Sequence, residues 1–335
     1  MNRARFQQIA DRFSQMKLLV IGDIMLDEFI WGRVRRISPE APVPVVEVDK
    51  ETSYPGGAAN VARNLREFSS DVSLLGLIGA DAHAAQLKRL LADEGIRLDC
   101  LVEDPAYQTI VKTRIIARNQ QVVRVDRERK VGLTQLQISQ ALQQLGNLIC
   151  QIDGIIIEDY AKGLLDQNLV DAIVSQARAA GKIVTVDPNP HNRLAWNGVT
   201  TIKPNRSEAF SAAGMSQTDP VEPPTADTAL LQAGQTLLER WDTKNLLITL
   251  SEQGIMLFER NAPPFHIPTR AQEVYDVSGA GDTTIALFTL SLCAGATPRE
   301  AAIIANHAAA VVVGKLGTAT LTPAELLASF DALDV

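Results

Sequence analysis

Residues 154–163 read "GIIIEDYAKG". Three successive isoleucines show neither a helical period nor an alternating one, so each face of the segment needs apolar cover. That pattern marks a strand buried on both sides. Working outward, the same kind of run recurs at 17–23 ("KLLVIGD"), 72–79 ("VSLLGLIG"), 182–188 ("KIVTVDP") and 245–250 ("NLLITL"). Between these runs lie helix-like stretches at 82–94, 133–148, 167–180 and 229–241. Strands alternating with helices predict an α/β fold, a mainly parallel sheet with helices on both faces.

Two regions break the alternation. Residues from about 28 to 53 include "RRISPEAPVPVVEVDKE", rich in proline and valine and without helical period. Residues 111–127 alternate charged and apolar side chains and read as two strands joined near Asn119-Gln120. We expect a single domain over 1–335, with these segments, at about 28–53 and 98–127, forming a small β-sheet that projects as a lid or an oligomer contact. The stretch 214–227 reads as a surface loop.

Bulk composition narrows the function classes. The 335 residues are 46% hydrophobic and 21% charged, as in a globular chain with a sizeable core. A net charge of −7 argues against nucleic acid or an anionic membrane as partner. Three widely spaced cysteines, Cys100, Cys150 and Cys293, suit reduced thiols in a cytoplasmic setting. No charge-free apolar run approaches the roughly 18 residues of a membrane span.

Ligands of open α/β sheets bind beyond the carboxyl ends of the strands. Polar outlets cluster there: Asp23 and Asp27 after the first strand, Asp159, Tyr160 and Lys162 after the isoleucine run, Asp187 and Asn189 after 182–188, and Asn205 and Glu208 after "TTIKPN". Each alone could be a helix cap; as a set they mark a site. "YPGGAANVARNL" (54–65) adds Gly56 and Gly57 ahead of a helix, either a tight turn or a close approach to ligand, with Asn60 in the first turns.

The stretch 273–296, "EVYDVSGAGDTTIALFTLSLCAGA", holds Gly279, Ala280, Gly281 and Asp282 at the start of an apolar helix. Exposed N–H groups at a helix start attract an anion, so a carboxylate there has a use only if it takes up a proton. Other phosphate and hydrolase motifs are absent: no G-x-x-x-x-G-K-[ST], no G-x-G-x-x-G after the first strand, no G-x-S-x-G. The four histidines are scattered without zinc spacing.

With Gly56-Gly57, "KPNRSE" and "DVSGAGD" in this order, the chain resembles the ribokinase-like (PfkB) sugar kinases over essentially its whole length. The strings "RISPEAPVPVV", "PGGAANVA", "ARNQQVVRVD" and "DYAKG" narrow the likeness to a branch whose acceptor is a sugar phosphate. The resemblance implies a ribokinase-like three-layer α/β/α core, ATP as phosphoryl donor and Mg²⁺ as cofactor. Asp282 would be the general base, with Gly279, Ala280 and Gly281 donating N–H groups to the γ-phosphate. Asn205 and Glu208, matching N-x-x-E, would organise Mg²⁺ through water; Thr249, Ser251, Gly254 and Asn306 would face the nucleotide. Asp23, Asp27, Gly56, Gly57, Asn60 and Asp159 would line the sugar, while Arg118 or Lys162 would hold its phosphate. The resemblance also implies a homodimer through the projecting sheet.

Two departures stand out. After Asp187 the chain reads "PNPHNRLAW" in place of a "DPKG"-like turn, and no H-x-G-H motif of a fused nucleotidyltransferase is found, so a kinase acting alone is expected. The alternatives are a kinase of the same fold for ribose, fructose 1-phosphate or a nucleoside, and a non-catalytic sugar sensor.

Overall fold

The isoleucine run satisfies both faces at once. In the computed structural model, which describes residues 1–118, 120–270, 277–315, 317 and 319–331, it forms the strand Gly154–Glu158, buried throughout. Ile156 packs into one core with Leu18 and Val20, while Ile155 and Ile157 pack into a second with Leu19 and Ile21. The first core is closed by helices Ala58–Arg66, Ala280–Cys293 and Pro298–Val313; the second by Gln135–Leu148, Gln167–Ala179 and Thr228–Arg240. Each buried isoleucine contributes about 1.5–3 kcal/mol through removal from water.

Among the described residues the large sheet has nine strands. From the centre outward on one side run Lys17–Gly22, Asp71–Gly79 and Leu101–Asp104; on the other run Ile183–Asp187, Thr201–Ile202 and Asn245–Thr249, all parallel to Gly154–Glu158. Two antiparallel strands, Ile255–Glu259 and Phe265–Ile267, finish that edge. The three-layer α/β/α core expected from sequence is therefore present, and its parallel strands bring their carboxyl ends to one edge.

A second sheet, of four strands among the described residues, projects from that edge. Ile24–Ile37 pairs antiparallel with Pro44–Gly57 and parallel with Ile110–Ala117, which pairs antiparallel with Gln120–Arg127. Its segments differ from the expected 28–53 and 98–127. The first extends to 24–57, and residues 101–104 belong to the large sheet, because Val102 packs into the second core with Leu75 and Leu77. Asn119, at the expected turn, and Asp276 of the glycine motif lie outside the described residues. Only Asp23 separates the first core strand from the projecting sheet, and Gly57 ends the sheet as it caps helix Ala58–Arg66. The site grows from these two junctions.

Candidate active site

Gly279, at φ +82° and ψ −2°, takes the left-handed turn that starts helix Ala280–Cys293, which puts Asp282 in its first turn. Gly57, at φ +61°, sets the entry of helix Ala58–Arg66; a Cβ there would lie 2.5 Å from the Asp23 carbonyl oxygen. The two helices lie side by side, so Asn60 and Asn64, one turn apart, both reach across. Asn60 Nδ2 donates to Asp282 Oδ2 at 2.7 Å, and Thr283 Oγ1 donates to Asn64 Oδ1 at 2.8 Å. The Tyr160 hydroxyl donates to the other Asp282 oxygen at 3.0 Å. Burial pushes the Asp282 pKa up to about 6, with the nearby Asp187 charge adding to it and the Asn60 and Tyr160 hydrogen bonds opposing. Two donors hold the carboxylate while leaving lone pairs for a further partner.

Beneath Asp282 lies a charge cluster. Glu158 and Asp187 are register partners on adjacent strands, and carboxyl oxygens of Glu158, Asp187 and Asp282 all lie within 4.8 Å of one another. Lys203 Nζ contacts Asp187 Oδ2 at 2.7 Å. Burial alone would push the Lys203 pKa down, but the charge and hydrogen bond of Asp187 hold it up, so it stays a cation. Burial pushes Asp187 upward against that partner. Glu158 is 1% exposed, its Oε1 has no hydrogen-bond partner, and burial reinforced by its acidic neighbours drives its pKa well above the carboxylate range. A Cβ on Gly281 would stand 3.4 Å from Lys203 Nζ, so this ammonium underlies the glycine-flanked helix start. The Ala280 N–H is not free as expected: it bonds back to the Val277 carbonyl at 3.3 Å.

On the other side of Gly281 opens a cleft of about 390 Å³. Thr249, Ser251, Gly254 and Asn306, scattered over almost sixty residues of sequence, line it together with Ala280 and Gly281. Ser251 (φ +54°) and Gly254 (φ +88°) make the tight turn; a Cβ on Gly254 would strike the Ile267 carbonyl oxygen at 2.1 Å. Asn306 Nδ2 donates to the Pro268 carbonyl at 2.8 Å, fixing the helix against the wall. Asn205 bridges to Thr249 and forms a reciprocal capping box with Glu208: Glu208 N–H to Asn205 Oδ1 at 2.9 Å, Asn205 N–H to Glu208 Oε2 at 2.8 Å. The cap reading of N-x-x-E is thus realised, and burial with the Asp187 charge raises the Glu208 pKa. The carboxylate and amide oxygens of this pair suit a hard cation such as Mg²⁺.

The sugar-side residues divide. Asp27 is buried, ion-paired to Arg114, and sits where a Cβ on Gly56 would come within 2.2 Å of its Oδ2. Gly56 is therefore a space requirement. Asn60 reaches Asp282 itself. Asp23 has a structural role as well: its oxygens accept the N–H groups of Tyr160 at 3.1 Å, Lys162 at 3.0 Å and Leu164 at 3.2 Å, which makes it the anchor of the 159–164 loop. Asp159 Oδ1 accepts from Ala161 N–H and Asn192 Nδ2, its buried Oδ2 lacks a partner, and burial raises its pKa to about 6. Lys162 Nζ binds Glu128 at 2.7 Å. Arg118 stands apart. It is exposed at the tip of the projecting sheet, six residues beyond Lys112, the register partner of Asp27, or about 20 Å along a strand.

Sequence reasoning noted Tyr160 and Asp187 without giving them roles, and assigned none to Lys203, Arg114 or Glu158. The available signal was register: parallel strands ending at Glu158 and Asp187 must set those carboxyls side by side.

An acid able to receive a proton, set beside a helix start suited to an anion and a cleft on its far side, is what transfer of a phosphoryl group to a small alcohol requires. The fold and site define a small-molecule phosphotransferase of ribokinase-like architecture. More narrowly, the chain belongs to the pfkB family of carbohydrate kinases, whose pattern matches residues 15–325. Among curated relatives, "Bifunctional protein HldE" of Citrifermentans bemidjiense is 42% identical over 98% of this chain and 66% of that protein. The protein of the same name from Pectobacterium atrosepticum is 42% identical over 94% of this chain and 63% of its own length. This chain thus spans 63–66% of the length of these relatives. Of solved structures, Arabidopsis thaliana ribokinase complexed with ribose and ATP aligns with TM-score 0.70 at 17% identity, covering 94% of this chain and 98% of that one. Phosphofructokinase-2 from Escherichia coli in complex with potassium aligns with TM-score 0.76 at 19% identity, covering 96% and 99%. At such identities these two report the fold.

Proposed function

We propose that this chain transfers the γ-phosphate of ATP to the C1 hydroxyl of D-glycero-β-D-manno-heptose 7-phosphate, giving the 1,7-bisphosphate for lipopolysaccharide heptose synthesis. The observation that carries the reading is the Asn60–Asp282–Tyr160 arrangement beside Gly281. Asn60 and Tyr160 orient the Asp282 carboxylate, and the remaining lone pairs face the acceptor hydroxyl. As that oxygen attacks phosphorus, its proton passes to Asp282 and the P–O bond to ADP breaks. The Gly279 and Gly281 N–H groups and the Lys203 ammonium beneath them stabilise the charge on the transferring group. Asn205 and Glu208 would order Mg²⁺ and its waters, which neutralise the nucleotide phosphates. The match to the pfkB carbohydrate kinases supports a sugar acceptor and ATP, and the identity to the HldE proteins supports the heptose phosphate.

The projecting sheet pairs with a second copy in this reading: Val122, Val123 and Val125 expose apolar side chains along its outer strand. Among the described residues no helix is long and apolar enough to cross a membrane; the cytoplasmic setting is part of the proposal. The test is ADP release with Mg-ATP against a panel of sugars and sugar phosphates. Turnover of heptose 7-phosphate well above ribose, fructose 1-phosphate and adenosine is expected. Preference for any of those three would replace the proposed acceptor.

A further inference from the structure

Glu128 holds an unusual position. Its carboxylate bridges two lysines from separate parts of the fold: Lys162 Nζ on Oε1 at 2.7 Å, and Lys112 Nζ on Oε2 at 3.4 Å. Lys112 belongs to the strand Ile110–Ala117 at the base of the projecting sheet, where it is the register partner of Asp27, the buried sugar-side acid. Lys162 belongs to the loop that follows the isoleucine strand. Both side chains are largely covered, 14% and 22% exposed, so neither is a freely solvated surface charge.

The loop carrying Lys162 also defines the reacting end. Asp23 ties down the N–H groups of both Tyr160 and Lys162, and Ala161 between them takes a left-handed φ of +57°. Tyr160 touches Asp282 with its hydroxyl, while Lys162 touches Glu128. Their backbones can be no further apart than about 7 Å, two residues of chain. One short, anchored loop therefore spans from the proton acceptor to a seat where two ammonium groups already grip an anion. Charge adds direction. Lys112 and Lys162 together present two positive charges against the single charge of Glu128, and Asp126, also on Lys112 at 3.2 Å, is claimed by Arg124 through contacts of 2.8 and 3.0 Å. A phosphate dianion balances the lysine pair better than one carboxylate, and its three oxygens can engage both.

We infer that Glu128 occupies the seat of the acceptor's own phosphate, and that Lys112 and Lys162 bind that phosphate after it displaces the Glu128 carboxylate. The inference rests on a phosphorylated acceptor, as proposed above, and assigns its far end: Lys112 is a specificity residue, Lys162 its partner, and Arg118 takes no part within the subunit. Glu128 acts as an internal competitor. An acceptor lacking the phosphate must leave the lysines on Glu128 and gains nothing from them.

Two measurements test this. In steady-state kinetics, Lys112→Met and Lys162→Met should each raise KM for the sugar phosphate on the order of tenfold, more than they lower kcat, and erode the preference for phosphorylated over unphosphorylated heptose. Glu128→Gln should act oppositely, lowering that KM, and Lys162→Arg should retain most of the preference. Unchanged preference in both methionine variants, or a raised KM in Glu128→Gln, overturns the assignment. Independently of turnover, calorimetric titration with inorganic phosphate should show binding to the native chain that tightens in Glu128→Gln and weakens in Lys112→Met. Phosphate that binds all three alike, or none, overturns it too. Should the panel select an unphosphorylated acceptor while this titration behaves as stated, the functional reading fails and the anion seat stands.

Discussion

Asn60 and Asp282 are 222 residues apart in sequence and 2.7 Å apart in space. The contact joins the helix that follows the projecting sheet to the helix that starts at Gly279, so one hydrogen bond links the proposed sugar side to the proposed proton acceptor. Asp282 does not cap its own helix: Gly279 is the cap residue, and the Asp282 oxygens take donors from two other elements.

Asp282→Asn should therefore lower kcat by about 10²- to 10⁴-fold, the range for losing a general base, with little change in KM for either substrate. ADP release under saturating substrates measures this. Activity within tenfold of the native chain would remove Asp282 from the role.

The pH dependence follows from the same carboxyl. With a pKa near 6, Asp282 is ionised and competent above that pH, and kcat/KM should fall as pH drops through it. The Tyr160 hydrogen bond stabilises the charged form. Tyr160→Phe should then move the acid limb of the profile to higher pH while the alkaline side keeps substantial activity. An acid limb that stays in place, or moves down, would contradict the role given to that hydroxyl.

Gly281 offers a separation of folding from ligand approach. It lies inside a helix, and a Cβ there meets nothing closer than the Lys203 ammonium at 3.4 Å. Gly281→Ala should fold with unchanged or slightly greater stability, since alanine favours a helix by roughly 0.5–1 kcal/mol over glycine. The methyl would nevertheless stand where the transferring phosphate must approach, so kcat/KM for ATP should fall tenfold or more. Full activity with a normal melting temperature would show that no ligand approaches this backbone.

Much of this site was legible because its residues sit at strand ends and helix starts, which period and glycine placement reveal. Thr249, Ser251, Gly254 and Asn306, named together from the family likeness, line one cleft. What stayed hidden depends on side-chain partners. The position of Asp23 at a strand end is visible in the sequence, whereas the three backbone N–H groups that it accepts come from a loop 137–141 residues on. Arg118 was named for the substrate phosphate from its sequence context alone, and the extended strand before it carries it to the tip of the projecting sheet. Glu158 was invisible in a third way. Its burial comes from neighbours on both sides of the sheet, and no local pattern distinguishes a buried acid from a strand-end one.

That buried acid gives the last prediction. Glu158 binds its proton far more tightly in the folded chain than an unfolded glutamate does, since it is enclosed, faces Asp187 and Asp282, and has an orphaned oxygen. A carboxyl with a raised folded pKa lends stability that is fully present below the unfolded value near 4.5 and is lost as pH climbs toward the folded one. Over that window the native chain loses up to about 1.4 kcal/mol per pH unit from this group. Glu158→Gln is neutral at every pH and escapes the loss, whatever constant difference its amide introduces. The difference in unfolding free energy between Glu158→Gln and the native chain should thus grow in favour of the variant from pH 5 to pH 8, measured by urea denaturation at fixed salt. Two parallel stability curves would mean that Glu158 is ionised in the folded protein, with a second cation beside Lys203 compensating it.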